Sequence, residues 1–389
     1  MNEAEQKGSA EARAGILPVQ RLRDAVRDGW IASDKYRVPD ESFQPASLDL
    51  RLGDYAHRLQ CSFIPGDASV EEKLSDYAMG DRIDLRDGAV LERARPYLIP
   101  LAEGLRLPPQ IKARTNPKSS TGRLDVFTRV ITDRGYYFDE VAAGYSGGLY
   151  LEVFSRSFTI HVRQGLALNQ LRLMTTDVAD MRDVELTALH ASQPLIYDRG
   201  RPANTAGITT ASGLLLSVDL GGAGSVAYRA KKNSKLLDLS LDGHYDVADF
   251  WEVERPAGEP RRLVLEPEEF YLLISRERVR VPPDYAAEMV AYDPTSGELR
   301  THYAGFFDPG FGHGAQGEEQ GSRAVLEVRA HDVPFVLEDG QKVFKLAFQP
   351  MSERPEVLYG AQIGSHYQGQ ELSLSKQFRA PAVQSSLFS

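Results

Sequence analysis

The hexapeptide from Lys118 to Arg123, KSSTGR, carries side chains that suit a phosphate. It offers two serine hydroxyls and two cationic groups, and its polar, glycine-containing composition is typical of a turn. Arg123 could bind phosphate oxygens through two parallel hydrogen bonds, while hydroxyls and turn amides supply further donors. The plainer interpretation is an ordinary hydrophilic turn. The segment is therefore a candidate phosphate site.

A single carboxylate, Glu152, lies among apolar residues in the segment 147–174. Burial among such neighbours raises the pKa of a carboxyl group, which suits it to take and return protons near neutral pH. The alternative is a strand glutamate that faces solvent or pairs within a ladder. The apolar neighbours are Tyr150, Leu151, Val153 and Phe154.

Two elements precede these segments in the chain. Residues 18–29 predict a helix, because their apolar side chains fall on one face, Pro18 suits a first turn and Gly29 can end it. Residues 44–53 alternate leucines with polar residues, which is the period of a half-buried strand. Asp49 in this strand is interpreted as a structural hydrogen-bond acceptor.

Strands are expected on both sides of the KSSTGR turn. Residues 97–115 predict two short strands, broken by Pro100 and by the pair Pro108 and Pro109. Residues 147–174 alternate and are rich in aromatic side chains, so they predict two or three strands. Little helix is expected beyond the N-terminal one.

Composition and charge exclude several classes of protein. The chain has 389 residues, 42% of them hydrophobic, yet no apolar run approaches the length of a membrane span. A net charge of −10 argues against a nucleic-acid polymer as partner. Cys61 is the only cysteine, which excludes an intrachain disulfide and indicates a reducing compartment. Residues 1–14 are polar and lack a signal sequence, so a disordered N-terminus and a cytoplasmic protein are expected.

The length predicts two domains, and the second half echoes the first. Residues 199–213 are rich in small residues and are interpreted as a linker, which gives domains 1–204 and 205–389. Two copies of one all-β unit, built as barrels or sandwiches, explain the echoes. The matched segments are 234–243 with 44–53, 278–285 with 104–111, and 322–348 with 147–173.

The two copies differ at the KSSTGR turn. At the repeat offset of 175 residues, Lys118, Ser119 and Arg123 correspond to Asp293, Pro294 and Glu298, so the second copy's turn repels an anion. Glu152 corresponds to Glu327 at the same offset. Glu327 is therefore interpreted as a relic that keeps the strand's shape, or as a group donated to a neighbouring barrel's site.

These stretches together resemble the dCTP deaminase and dUTPase family of trimeric barrels, and specifically its dCTP deaminases. The resemblance implies an all-β chain of two tandem distorted jelly-roll, dUTPase-like barrels with a short N-terminal helix. The first barrel would carry the catalytic motifs. The matching segments are QPASLDLRLG at 44–53, KSSTGR at 118–123, AGYSGGLYLEVF at 143–154, GLALNQL at 165–171 and, for the family's C-terminal lid, YGAQIGSHYQGQ at 359–370.

The resemblance also implies roles for individual residues. Glu152 would be the catalytic carboxylate. Asp139 would hold the sugar 3′-hydroxyl, a role that the family gives to an aspartate before a Pro-Gly-aromatic turn. Arg134 falls at the family's active-site arginine when counted forward from Arg123, whereas counting back from Glu152 places a tyrosine there. The other substrate-binding residues implied are Lys118, Ser119, Ser120 and Arg123 for the triphosphate, Tyr150 and Leu151 for the base, and Tyr359 and Gln370 in the lid, where His366 stands in place of a lysine.

The activity implied is hydrolytic deamination of dCTP to dUTP and ammonia. Zinc deaminases carry an H-x-E motif and a P-C-x-x-C motif, and neither occurs in this sequence. No zinc and no protein metal site are therefore expected, while Mg²⁺ is expected to bind with the triphosphate. A dUTPase, a bifunctional enzyme and a non-catalytic nucleotide sensor are the alternatives. The resemblance to trimers also implies a homo-oligomer.

Overall fold

The computed structural model describes residues 13–33, 37–198, 200–221, 227–290, 299–301, 305–313, 321–360 and 372–379. In these ranges the chain is mainly β, as predicted. None of the helices in these ranges is long and apolar enough to cross a membrane. The helices are α1 (Val19–Arg27), α2 (Val70–Tyr77), α3 (Ser119–Gly122), α4 (Asp183–Ser192) and α5 (Val247–Phe250), with 3-10 turns at Asp40–Ser42 and Thr205–Gly207.

The first half of the chain forms three sheets. One has the order β4-β3-β6-β10-β8, with β1 also on β6; another has the order β2-β12-β7-β9; and β5 pairs with β11. The strands are β1 (Ile31–Ser33), β2 (Leu48–Arg51), β3 (Tyr55–Arg58), β4 (Ile83–Asp84), β5 (Ala89–Leu91), β6 (Pro96–Arg106), β7 (Ile111–Pro117), β8 (Val126–Ile131), β9 (Glu140–Val141), β10 (Ser146–Ser155), β11 (Ile160–Val162) and β12 (Ala167–Thr175).

The second half repeats this topology. Its larger sheet repeats the pairing of the first, with β20 in the place of β6, β24 of β10, β22 of β8, β16 of β3, β18 of β4 and β13 of β1. Its second sheet, in the order β15-β26-β21-β23, repeats the order β2-β12-β7-β9. The strands are β13 (Ile196–Asp198), β14 (Arg201–Pro202), β15 (Leu214–Ser217), β16 (Ala227–Ala230), β17 (Leu237–Asp238), β18 (Trp251–Glu254), β19 (Arg262–Leu265), β20 (Phe270–Val279), β21 (Tyr285–Val290), β22 (Leu299–Thr301), β23 (Phe306–Phe307), β24 (Ser322–Ala330), β25 (Phe335–Glu338) and β26 (Lys342–Pro350).

The expected N-terminal helix and the strands after the turn are confirmed as α1 and as β10, β11 and β12. The predicted break at Pro100 is wrong, because β6 runs through it from residue 96 to 106. The neighbouring strand shifts register between Gly148 and Tyr150, opposite Pro100. Proline is tolerated in a strand at such a bulge because the ladder does not need its missing N–H.

The repeat is real, but one of its matched segments is wrong. The counterpart of β2 is β15, since β15 pairs with β26 as β2 pairs with β12. The segment 234–243 instead supplies β17, which pairs in parallel with β11 of the first half. Apolar residues recur at every second position in both 214–220 and 234–243, so the period alone could not choose between them.

Two large apolar cores lie in the two halves. The first extends from Leu17 to Leu173 and also takes in Leu237, Trp251 and Phe378 from later in the chain. The second begins at Leu186. In the second half, α4 and β13 occupy the places of α1 and β1. By this correspondence the second barrel begins before α4, upstream of the boundary predicted near residue 205.

Candidate active site

The KSSTGR segment folds as one helical turn, α3, between β7 and β8. The amides of Thr121 and Gly122 donate to the carbonyl of Lys118 at 2.8 and 3.0 Å. The amide of Arg123 donates to the carbonyl of Ser119 at 3.1 Å. The sequence predicted an irregular turn here, and the structure gives the same polar residues a fixed helical geometry.

Both cations of the turn are engaged by oxygen atoms. Lys118 forms an ion pair with the carboxylate of buried Asp49, which is thus the structural acceptor expected from the sequence. Arg123 is buried and donates from Nη1 to the carbonyl and hydroxyl oxygens of Ser373 at 2.8 and 2.7 Å. These contacts show that both side chains point to positions where oxygen ligands can be bound.

The C-terminal segment 372–379 lies against the turn. The hydroxyl of Ser375 donates to the carbonyl of Ser120 at 2.6 Å. Phe378 is buried and its ring lies 5.5 Å from that of Phe250. The tail is thus held by an apolar anchor at one end and by hydrogen bonds to the KSSTGR turn at the other.

The carboxylate beside the turn is Glu327 of β24, which belongs to the second barrel. A Cβ atom added to Gly122 would lie only 2.5 Å from Glu327 Oε2, so the absence of a side chain at Gly122 lets the carboxylate approach this closely. Burial raises the pKa of Glu327 to about 8, although the positive charge of Arg123 opposes this rise. The turn of one barrel and the carboxylate of the other therefore form one site.

A cavity between the barrels contains this pair. Asp308 lines it and is itself buried, and the ring of Tyr359 packs 5.6 Å from that of Phe311 at its wall. Its volume is about 80 Å³. Since pockets that hold small-molecule ligands usually measure roughly 300–1,000 Å³, a nucleotide can enter only if part of the wall moves. The lining residues include Lys118, Ser119, Gly122 and Arg123 of the first barrel and Met289, Phe306, Asp308, Val325, Glu327 and Tyr359 of the second.

Ion pairs also join the two barrels. Arg329 of the second barrel pairs with Asp125, two residues beyond the turn, and both side chains are almost fully buried. Arg114 of the first barrel donates to Glu288 of the second at 3.1 Å. Breaking the buried pair of Arg329 and Asp125 would leave an uncompensated charge, so this pair holds the turn in place against β24.

Glu152, the predicted catalytic carboxylate, lies on β10 within the first barrel and does not face the turn. It is buried, and its Oε1 accepts hydrogen bonds from Arg129 Nε and Nη2 at 3.1 and 2.7 Å. Its Oε2 is buried without a hydrogen bond among the described residues. The Arg129 guanidinium also lies over the ring of Phe138, 4.2 Å from its centroid. Within one chain, Glu152 and the turn therefore do not share one site.

The residues predicted to contact the base lie beside Glu152 and, like it, do not line the cavity at the turn. Leu151 is fully buried in the first core. Burial raises the pKa of the half-buried Tyr150 to about 12. Their counterparts at the repeat offset are Val325 and Leu326, and Val325 lines the cavity.

The predicted sugar and arginine positions are also elsewhere. Asp139 accepts hydrogen bonds from the Thr115 hydroxyl and the Val130 amide, both at 2.8 Å, and burial raises its pKa to about 7. Arg134 lies exposed in a loop with φ of +54°. Neither lines the cavity at the turn. Tyr359 does line it, whereas Gln370 lies outside the described residues, as do His366 and the second copy's turn.

The sequence assigned no role to Asp308, and for Glu327 it left open a relic that keeps the strand's shape or a group donated to a neighbouring barrel's site; Glu327 lies beside the turn of the other barrel. A signal for Asp308 was present, since it directly precedes Pro309, Gly310 and Phe311, the Pro-Gly-aromatic turn that the resemblance associates with the sugar-binding aspartate. Glu327 was not assigned to a site of its own barrel because that barrel's turn is acidic. Which turn faces a carboxylate is decided by how the barrels dock, and no local pattern encodes that.

Among the described residues, no three His, Cys, Asp or Glu side chains are grouped so that they could hold a metal ion. The candidate site is therefore an arrangement of cations and hydroxyls facing two carboxyl groups. Such an arrangement can bind a phosphorylated substrate and move protons next to it.

Comparison with known proteins identifies the family. The sequence model for the N-terminal domain of 2′-deoxycytidine 5′-triphosphate deaminase matches residues 13–177, and the model for its C-terminal domain matches residues 182–378. The crystal structure of 2′-deoxycytidine 5′-triphosphate deaminase from Agrobacterium tumefaciens is 45% identical, with a TM-score of 0.80, over 87% of this chain and 99% of that chain.

Curated relatives are also named as dCTP deaminases. A "dCTP deaminase, dUMP-forming" of Methanospirillum hungatei is 28% identical over 166 residues, which is 42% of this chain and 83% of the relative. A "dCTP deaminase" of Ignicoccus hospitalis is 26% identical over 179 residues, 46% of this chain and 93% of the relative. These matches confirm the resemblance and the dUTPase-like fold. The chain therefore belongs to the 2′-deoxycytidine 5′-triphosphate deaminase family.

Proposed function

We propose that the protein deaminates dCTP to dUTP and ammonia in the cavity between its two barrels, with Glu327 as the proton-transferring carboxylate. The observation that carries this proposal is the contact between Glu327 and Gly122 of the KSSTGR turn. It joins a group that can move protons to a segment that can hold phosphates.

The triphosphate is assigned to the KSSTGR turn. Arg123 offers a guanidinium that suits phosphate oxygens, and Ser119 and Lys118 line the same cavity. The contacts of Arg123 with Ser373 occupy the place of those oxygens, so the tail segment shifts when the nucleotide binds. A nucleoside triphosphate carries about four negative charges, and Mg²⁺ enters with it, held mainly by phosphate oxygens and water. No zinc takes part in this proposal.

The chemistry is assigned to Glu327. A pKa of about 8 keeps both of its protonation states populated near neutral pH, as proton transfer in both directions requires. Glu327 takes a proton from water while the oxygen attacks C4 of the cytosine, and it passes that proton to N3. It then carries the proton of the new hydroxyl group to the amino nitrogen, the C4–N4 bond breaks, and ammonia leaves uracil with a carbonyl at C4.

The sugar is assigned to Asp308, which lines the cavity beside Glu327. A carboxylate oxygen there can accept a hydrogen bond from the 3′-hydroxyl. Val325, two residues before Glu327 on β24, supplies backbone groups for the base. In this assignment the second barrel binds the nucleoside and the first barrel binds the phosphates.

Formation of dUMP is the second candidate, and the names of several relatives favour it. In that reaction a second water attacks phosphorus and pyrophosphate leaves. A glycine-rich, phosphate-binding C-terminal tail would support it, but the sequence that follows the lid segment 359–370, from 371 to 389, contains no glycine. For this reason we assign dUTP as the product.

Product analysis tests the proposal. Purified protein with Mg²⁺ is given dCTP, dUTP and dCMP separately, and nucleotides, ammonia and pyrophosphate are measured. We expect ammonia and dUTP from dCTP only, with metal analysis finding no stoichiometric zinc. Pyrophosphate and dUMP would establish the second candidate, and binding without turnover would establish a nucleotide sensor instead of an enzyme.

A further inference from the structure

Arg172 is a fully buried arginine that the proposed chemistry does not use. It lies on β12 of the first barrel between Leu171 and Leu173, which are buried in the first core. Because side chains alternate along a strand, Arg172 points out of that core, towards the second barrel. Isolated buried charges are strongly unfavourable, so an arginine in this position needs partners there.

The partners of Arg172 belong to the second barrel. Its Nη2 donates to Asp308 Oδ1 at 3.2 Å, and its Nη1 donates to the carbonyl of Ala287 at 3.3 Å. The guanidinium lies over the ring of Phe306, 3.9 Å from its centroid. Nε is buried without a hydrogen bond among the described residues. Three contacts thus fix the guanidinium, and among carboxylate oxygens it donates to Asp308 Oδ1.

This arginine is not a general feature of the repeat. At the offset of 175 residues the equivalent position of the second barrel is Ala347, on β26. The sequence therefore places the arginine only in the barrel that faces Asp308. A residue needed merely to fill the space between barrels would not require this charge, since apolar side chains of similar size often serve such positions as well.

The two oxygens of the Asp308 carboxylate have different surroundings. Oδ1 is taken by Arg172, whereas no hydrogen bond to Oδ2 occurs among the described residues, and the side chain lines the cavity. Burial raises the pKa of Asp308, and the charge of Arg172 opposes that rise. Arg172 thereby favours the ionised carboxylate with one acceptor oxygen left for a ligand.

We propose that Arg172 of the first barrel is a positioning residue that orients Asp308 to accept the 3′-hydroxyl of the nucleotide, and that it thereby sets the selectivity for that hydroxyl. The inference rests on the proposed function, because it takes Asp308 as the sugar ligand. It adds a specificity determinant supplied by one barrel to the nucleoside site of the other.

The test compares kcat/KM for dCTP with kcat/KM for 2′,3′-dideoxycytidine triphosphate, which lacks the 3′-hydroxyl. Wild-type protein should prefer dCTP, and in Arg172→Met that preference should fall by about tenfold or more, the scale of one hydrogen bond to a charged group. The loss should appear mainly in KM for dCTP, with little change for the dideoxy compound. Arg114→Met is the matched control, since it removes another arginine that joins the barrels but leaves Asp308 untouched.

A double variant protects the test against a failure to fold. Arg172→Met/Asp308→Asn removes both buried charges, and its preference should equal that of Asp308→Asn alone, because Arg172 acts only through Asp308. Equal losses for both substrates in Arg172→Met, or a further loss in the double variant, would overturn the inference. So would a wild-type enzyme that turns over both nucleotides equally well. A wild-type protein that leaves dCTP unchanged contradicts the proposed function itself and is recognised without any variant.

Discussion

A carboxyl group that relays protons must reach the substrate, and the two matched glutamates differ in this respect. Glu327 lines the cavity at the KSSTGR turn, whereas Glu152 is held by Arg129 within its own barrel. We expect Glu327→Gln to lower kcat by at least about 10², the usual scale for a lost general acid–base, while dCTP still binds. Steady-state kinetics and calorimetric binding measure the two effects.

Glu152→Gln is the control for that experiment, because it makes the same change at the repeat-related position. We expect it to keep most of the turnover. The sequence led to a different expectation, with Glu152 as the catalyst and Glu327 as a relic or as a group donated to a neighbouring barrel's site. A large loss in Glu152→Gln alone would restore that earlier assignment, and equal losses would mean that both carboxylates work.

The raised pKa of Glu327 also has a consequence for stability. Its pKa is about 8 in the folded protein against a usual value of 4.5, so the folded state binds more protons than the unfolded chain between these pH values. The stability that the protonated carboxyl contributes is complete below pH 4.5 and is lost as the pH rises through 8. We expect the Tm of wild-type protein to fall, relative to that of Glu327→Gln, between pH 5 and pH 9. Calorimetry measures Tm for both proteins at each pH, and a constant difference between the two Tm values over this range would contradict the assignment.

At the scale of elements, the site depends on how closely α3 approaches β24. Gly122→Ala would place a Cβ 2.5 Å from Glu327 Oε2, the end of a flexible side chain. The structure can absorb that contact by moving the carboxylate, so we expect only a small change in Tm but a loss of kcat of at least about tenfold, since a displacement near 1 Å can cost 10²-fold.

Gly148→Ala is the matched glycine control. A Cβ there meets nothing closer than 3.8 Å, and Gly148 lies on β10 of the first barrel, away from the cavity. We expect unchanged kinetics in this variant. Full activity in Gly122→Ala, measured beside it, would show that the contact with Glu327 has no part in catalysis.

Elements with a strong local pattern could be predicted from the sequence. The apolar face of α1 and the strand patterns of β10 and β12 depend on neighbours a few residues apart, and the structure confirms these three elements. The match of 234–243 to β2 was wrong because 214–220 has the same period. What distinguishes the two segments is the strand with which each pairs, β26 for 214–217 and β11 for 237–238. Those partner strands are distant in sequence, so the period within a segment does not reveal them.

The candidate site was harder to predict for the same reason. The KSSTGR turn was found because its residues are contiguous, and it lines the cavity. Its partner Glu327 lies about 200 residues later, and Arg329 and Asp125 bring them together. The acidic character of the second copy's turn was used to judge Glu327, but Glu327 lies beside the turn of the first barrel.

At the scale of the whole molecule, the two barrels contribute unlike parts. The first provides the turn and the second provides Glu327 and Asp308, so we expect one nucleotide per chain. The second copy's turn, where Asp293 and Glu298 replace the cations, gives no reason to expect another. Calorimetry of Glu327→Gln with dCTP measures the stoichiometry, and two nucleotides per chain would contradict the division.

Assembly follows from the same barrels. Two barrels cannot close a three-barrel ring, and strand edges left unpaired favour association, so we expect a closed symmetric homo-oligomer. Three chains supply six barrels, enough for two rings. Light scattering on the active protein measures the number of chains, and a well-behaved active monomer would refute the expectation.

The contact between Gly122 and Glu327 within one polypeptide also bears on heredity. Where identical single-barrel subunits share their sites, two differently damaged alleles can rescue each other, because mixed assemblies rebuild some intact sites. Here the phosphate turn and the carboxylate are encoded in cis. A cell carrying one allele damaged at Arg123 and another damaged at Glu327 gains no such rescue, because each site is built within one chain. Each mutant chain then lacks one of the two parts that its own site needs.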